Sequence, residues 1–298
     1  MIRRRSAVAA AALVVVALAG CASGGSPSGG GGSSSRVEHV EAAPYRSIDG
    51  QELLADACLP AEGEQADRPA MVLLHGGGFE EGGRDKGGMP RLCDEFAQRG
   101  IVAVSIDYRL LPAASYPAQV EDAAAAVAWL REPTQVERFG LDPARIGVLG
   151  SSAGAIIAQS LGTAGEGALD AGSRVRLVVS LSGASDLTPA ALEKGEPSPE
   201  AQQTIQAYLG CLGEEYTACG STDAASPQTQ VDASDAPMLL MNGDRELVPV
   251  EQLEGMEQAL RAAGVDVQTV VEPGAKHGTQ LMTSSNVRTM LEFVQERL

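Results

Sequence analysis

Ser152 stands at the centre of Gly-Ser-Ser-Ala-Gly, residues 150–154. A serine hydroxyl becomes a useful nucleophile only when a base takes its proton and donors meet the oxyanion that forms on the attacked carbonyl. The chain holds three histidines. His39 lies in the N-terminal segment, and His75 stands directly ahead of Gly76, Gly77 and Gly78, where it reads as a residue that holds the loop by hydrogen bonds. His277, in Glu-Pro-Gly-Ala-Lys-His-Gly-Thr after the last apolar run, is by elimination and position the candidate base. Successive glycines leave backbone N–H groups unobstructed, so Gly76 and Gly77, with Ala153, are the candidate oxyanion donors. An acid to orient the imidazole is expected in Asn-Gly-Asp-Arg-Glu, where Asp244 and Glu246 are both available. Together these groups would carry out acyl transfer through a covalent intermediate, with no cofactor and no metal.

The elements that must hold these residues are legible as an alternation. Apolar runs at 70–75, 101–107, 145–150, 176–182, 237–242 and 267–272 read as strands. Helical patterns at 89–100, 117–132, 153–162, 250–264 and 286–298 fall between or after them. Buried runs alternating with helices predict an α/β fold with a mostly parallel central sheet and helices on both faces. The segment ahead of the first glycine loop reads as further strands, and residues 186–236 form a small, lid-like insertion after the sixth strand. Ser152 then sits where a buried strand turns directly into a helix, the context a nucleophile elbow requires.

HGGGF (75–79), DYRLLPAASYPAQVEDAAAAVAWLR (107–131), GSSAG, the run from Ala225 through Asn242-Gly243-Asp244 to Val248-Pro249, and GAKHG in this order resemble the α/β-hydrolase superfamily. The nearer resemblance is to its hormone-sensitive-lipase-like and bacterial feruloyl- or acetylxylan-esterase-like branch, over about residues 45–298. That resemblance implies a serine esterase in which Ser152 attacks, His277 is the base, and the acid stands in a G-x-x-D pattern shortly before Val-Pro. Counted from Gly243 the acid is Glu246; counted back from Val248-Pro249 it falls on Arg245, because the loop is one residue short. Glu246 is therefore the expected acid, with Asp244 as the alternative. Phe79 is expected to wall the acyl group, and Tyr108 to Tyr116 to brace the glycine turn. The substrates implied are short-chain or carbohydrate-linked carboxylic esters, although a chain with one Trp, five Tyr and four Phe supplies few platforms for sugars. An amidase or peptidase would use the same triad, and a binding lipoprotein that kept the fold and lost the chemistry is the alternative from another class.

The N-terminus reads separately. Arg3, Arg4 and Arg5 precede a short apolar run, and Leu18-Ala19-Gly20-Cys21 resembles a bacterial lipobox, so residues 1–20 are expected to be a lipoprotein signal and Cys21 the lipidated residue. Residues 21–36, rich in Gly and Ser, would be a flexible tether with a reach of about 20 Å. The hydrolase domain is then 37–298, extracytoplasmic, and tied to the membrane only through the lipid. Loss of the leader's three arginines takes the formal net charge from −17 to about −20, which argues against nucleic acid and anionic lipid surfaces as partners. Cys211 and Cys219, eight apart in a turn-rich segment, are expected to form one disulfide, leaving Cys58 with Cys93. No Cys-x-x-Cys occurs and the histidines are far from the cysteines in sequence, so no metal site is expected.

Overall fold

A computed structural model describes residues 37–61, 66–195 and 197–298. The signal, Cys21 and the tether lie outside the described residues. In chain order the elements are β1 (Val37–Ile48), β2 (Gln51–Pro60), β3 (Arg68–Leu74), α1 (Met89–Ala97), β4 (Val102–Ile106), α2 (Ala118–Leu130), α3 (Pro133–Phe139), β5 (Leu141–Ser151), α4 (Ala153–Gly162) and β6 (Val178–Leu181). They continue with α5 (Pro199–Leu209), α6 (Thr222–Ala225), β7 (Met238–Gly243), α7 (Val250–Ala263), β8 (Val267–Glu272) and α8 (Ser284–Arg297).

The strands form one sheet in the order β1-β2-β4-β3-β5-β6-β7-β8. The β1–β2 and β2–β4 pairs are antiparallel, and every pair from β4–β3 onward is parallel. Side-chain alternation along each strand feeds two cores. In β3, Ala70, Val72 and Leu74 belong to the core that also holds residues of α2, α4 and α7, whereas Met71 and Leu73 belong to the one that holds Leu92 and Phe96 of α1 and Met290 and Phe293 of α8. All five β3 residues are fully buried, which is why this strand reads as a continuous apolar run rather than an alternating one. At roughly 1.5–3 kcal/mol for each large side chain buried, these central strands supply the rigid base from which the loops at their C-terminal ends project.

Three details depart from the sequence reading. The helix expected at 89–100 ends at Ala97, because Gly100 closes the turn at φ +82° and the Ile101 N–H bonds back to the Phe96 carbonyl. The strand expected at 145 begins at Leu141, with a register shift before Ile146 where Pro143 has no N–H to give the ladder. The helix at 117–132 is followed by α3, which starts on Pro133 and stops at Gly140 with φ +63°. The insertion between β6 and β7 holds α5, α6 and three 3-10 turns.

Candidate active site

The turn from β5 into α4 puts Ser152 at φ +55°, ψ −118°. A residue with a side chain occupies such dihedrals at a cost of about 1–3 kcal/mol, and only where its surroundings leave no alternative. The surroundings here are close. A Cβ on Gly150 would lie 2.0 Å from the Gly154 carbonyl oxygen, and one on Gly154 would lie 2.3 Å from that of Leu74, so strand and helix can meet only through glycine. The Ser152 N–H donates to the Leu181 carbonyl at 2.8 Å, which ties the elbow to β6. Its hydroxyl stands at the N-terminus of α4, where the helix dipole favours negative charge.

His277 follows β8, and its Nε2 lies 2.8 Å from Ser152 Oγ. Its Nδ1 is in short contact with Glu246 Oε2. Glu246 follows β7 with its side chain wholly buried, and its Oε1 accepts from the Gly243 N–H at 2.9 Å and the Ser182 hydroxyl at 2.7 Å. A carboxylate acceptor at Nδ1 assigns the proton to that nitrogen and leaves the Nε2 lone pair facing the serine hydroxyl. Asp244 points elsewhere. Its Oδ1 accepts from the Gly274 N–H at 2.6 Å and lies 3.7 Å from the Arg245 guanidinium, whose side chain is 74% exposed. The structure thus brings Ser152, His277 and Glu246 together and leaves Asp244 and Arg245 outside.

The glycine loop passes directly beside Ser152: a Cβ on Gly76 would stand 3.2 Å from its Cβ. Gly77, at φ +124°, turns the chain so that its carbonyl accepts from the N–H groups of Glu80 and Glu81. His75 holds this loop. Its ring stacks on Tyr108 with centroids 4.2 Å apart, its Nδ1 meets the Gly76 carbonyl at 2.8 Å, and its own carbonyl accepts from the Tyr108 hydroxyl at 2.7 Å. Burial pushes the His75 pKa down, so the ring is neutral at pH 7. Gly78, Phe79, Ser152 and Ala153 open on a cavity of about 210 Å³, walled further by Ile156, Leu187, Ile205 and Tyr216, with Leu247 at its half-exposed rim.

The BD-FAE family model matches residues 55–260. The chain belongs to the BD-FAE family. It is 28% identical to esterase LipQ of Mycobacterium tuberculosis over 238 residues, 77% of this chain and 55% of LipQ. The chain therefore spans about half the length of that relative. Esterase 2 of Thermogutta terrifontis phosphonylated by sarin superposes with a TM-score of 0.71 at 25% identity, covering 89% of this chain and 95% of the esterase. The same esterase with butyrate bound gives 0.69 at 25% identity, over 89% and 94%. The sheet order and these neighbours make the fold of this BD-FAE member an α/β-hydrolase fold, as the motifs imply.

Around that shared frame the insertion is fastened rather than free. Phe79 stacks on Tyr208 of α5 with centroids 3.9 Å apart, and Tyr116 meets Tyr208 edge-on at 5.7 Å. The Tyr116 N–H donates to the Tyr208 carbonyl at 2.7 Å, and the Leu111 N–H to that of Phe79 at 2.8 Å. Cys211 and Cys219 are disulfide-bonded just beyond α5. Tyr216 donates its hydroxyl to the Leu187 carbonyl at 2.8 Å, and burial beside Asp186 pushes its pKa up to about 12. Cys58 and Cys93 form the second disulfide. It has a neighbour that sequence distance concealed: His39 is the cross-strand partner of Cys58, with Nδ1 3.6 Å from its sulfur and Nε2 3.3 Å from Asp94. With the Cys58 sulfur bonded to Cys93, that cluster has no thiolate to offer a cation. Sequence reasoning missed Ser182 and Tyr208. Ser182 had no motif around it, and Tyr208 lies in an insertion whose helix went unread.

Proposed function

We propose that this protein is a serine hydrolase of short-chain carboxylic esters. The observation that carries the reading is the unbroken line from Ser152 Oγ through the His277 imidazole to the buried Glu246 carboxylate. His277 takes the serine proton as Ser152 attacks the ester carbonyl, and Glu246 holds the imidazolium that forms. The N–H groups of Gly76, Gly77 and Ala153 receive the oxyanion at the start of α4. His277 returns the proton to the departing alcohol, and a water activated by the same ring releases the acid. None of these steps calls for a cofactor or metal.

A cavity of about 210 Å³, walled by Phe79, Ile156, Leu187 and Ile205, suits an acyl or alcohol portion of a few carbons and not a long chain. The butyrate found in the related esterase supports the same size class. The location we propose is outside the cytoplasmic membrane, held by lipid on Cys21. Two disulfides fit such an oxidising setting. A fluorophosphonate probe tests the chemistry. Intact-mass analysis is expected to show one adduct on the protein and none on Ser152→Ala, and 4-nitrophenyl esters are expected to lose rate beyond about six acyl carbons. Folded protein that takes up no probe and cleaves no ester would end this reading.

A further inference from the structure

We propose that Ser182 is a positioning residue for this reaction, whose hydroxyl joins Glu246 and the loop carrying His277 into one hydrogen-bonded unit. The inference rests on the esterase reading. Ser182 follows β6, is fully buried, and stands at φ +60°. An L side chain adopts that region only under constraint, and glycine would fit it more easily. The constraint is visible. Its N–H donates to the Met241 carbonyl of β7 at 2.8 Å. Its hydroxyl donates to Glu246 Oε1 at 2.7 Å and accepts from the Gly278 N–H at 2.7 Å. The single hydroxyl proton is committed to the acid, and a lone pair to the residue that follows the base.

This arrangement sets two things the reaction needs. A carboxylate with only one oxygen on the imidazole must be held by the other, and Ser182 shares that task with the Gly243 N–H. The His277 ring must also keep its angle toward Ser152, and the peptide that fixes it ends on Ser182 Oγ. Ser182 lines the cavity as well, but its hydroxyl proton is already given to Glu246, so it acts through the acid and not on substrate. Without that hydroxyl, Glu246 Oε1 keeps one donor and the Gly278 N–H loses its acceptor.

The test uses the full chain with Ser182→Gly and Ser182→Ala, each alone and combined with Glu246→Ala. It reads kcat and KM for 4-nitrophenyl butyrate and the thermal melt. The glycine variant relieves the backbone, so a purely structural serine predicts retained activity. We expect both single variants to lose kcat about 10- to 100-fold with KM within about twofold. Added to Glu246→Ala, either is expected to change kcat less than about twofold, since the group it acts through is gone. A near-wild-type kcat in Ser182→Gly overturns the proposal. So does an undiminished loss in the Glu246→Ala background, an effect confined to KM, or failure of both variants to fold. An active wild type with an active Ser182→Gly removes this role alone; a wild type inert toward the ester and the fluorophosphonate removes the esterase reading and this role with it.

Discussion

Shortening the acid by one carbon is a sharp test of the site. In Glu246→Asp the carboxylate retracts by about 1.5 Å, one C–C bond. Three contacts depend on its present reach: Oε2 with His277 Nδ1, and Oε1 with the Gly243 N–H at 2.9 Å and the Ser182 hydroxyl at 2.7 Å. Hydrogen bonds to charged groups are worth about 1.5–3 kcal/mol each, but only the His277 contact acts on the transition state, where imidazolium forms. Losing about 1.5–3 kcal/mol there corresponds to roughly a 10- to 150-fold fall in kcat. Misplacement of a reacting group by about 1 Å independently leads to a loss on the order of 10²-fold. The assay is steady-state hydrolysis of 4-nitrophenyl butyrate, with KM expected to stay within about threefold because the carboxylate does not touch substrate. The fluorophosphonate labelling rate should fall in parallel. Asp244→Asn serves as the control and is expected to keep most of the activity, since Asp244 caps the Gly274 turn. Retained activity in Glu246→Asp together with a collapse in Asp244→Asn would refute the reasoning and transfer the acid role to Asp244.

Tyr208→Ala removes the stack under Phe79 and is expected to destabilise by about 3–5 kcal/mol, lowering Tm by roughly 6–20 °C in a scanning melt. It should also raise KM as the cavity wall loosens. Replacing Cys58 and Cys93 with Ser, a separation of 35, should cost about 4 kcal/mol on a chain-entropy estimate, against about 2.5 kcal/mol for Cys211 and Cys219 at a separation of 8. Denaturant melts of the two paired variants would rank them, and the reverse order would be contrary evidence. Asp235 is buried, and desolvation raises its pKa to about 6, so the folded state holds a proton there that the unfolded chain has already released. The stability this contributes is present below about pH 4 and lost as pH rises through 6. Asp235→Asn is therefore expected to gain Tm relative to wild type between pH 4 and 7, and a constant difference would contradict that assignment.

What could be read from sequence was what repeats a local pattern. Ser152 was legible because a buried strand, two glycines and a helix must adjoin for its turn to exist. His277 was legible because histidine is scarce in this chain. The count from Gly243 favoured Glu246 but left Asp244 open, since spacing in a turn does not say which way a side chain points. Ser182 was invisible for another reason: its role depends on β6, β7 and the His277 loop meeting at one hydroxyl, contacts 64 and 96 residues away in the chain. Tyr208 depends likewise on Phe79, whose φ of +63° turns its ring toward α5.

The stack between Phe79 and Tyr208 ties two events that many enzymes keep apart. Phe79 is two residues from Gly77, and Tyr208 belongs to α5, which lines the cavity through Ala201, Thr204 and Ile205. A swing of α5 away from the glycine loop has to break that stack, worth about 0.5–1.5 kcal/mol beyond the area it buries, so the closed arrangement beside Ser152 is the favoured one. The exposed edge of the cavity in that arrangement is at Leu247. On the esterase reading, a site with α5 held in this way is expected to gain nothing from an oil–water boundary. Its rate should follow a plain saturation curve as an ester passes from dissolved molecules to droplets, with no jump where droplets first appear.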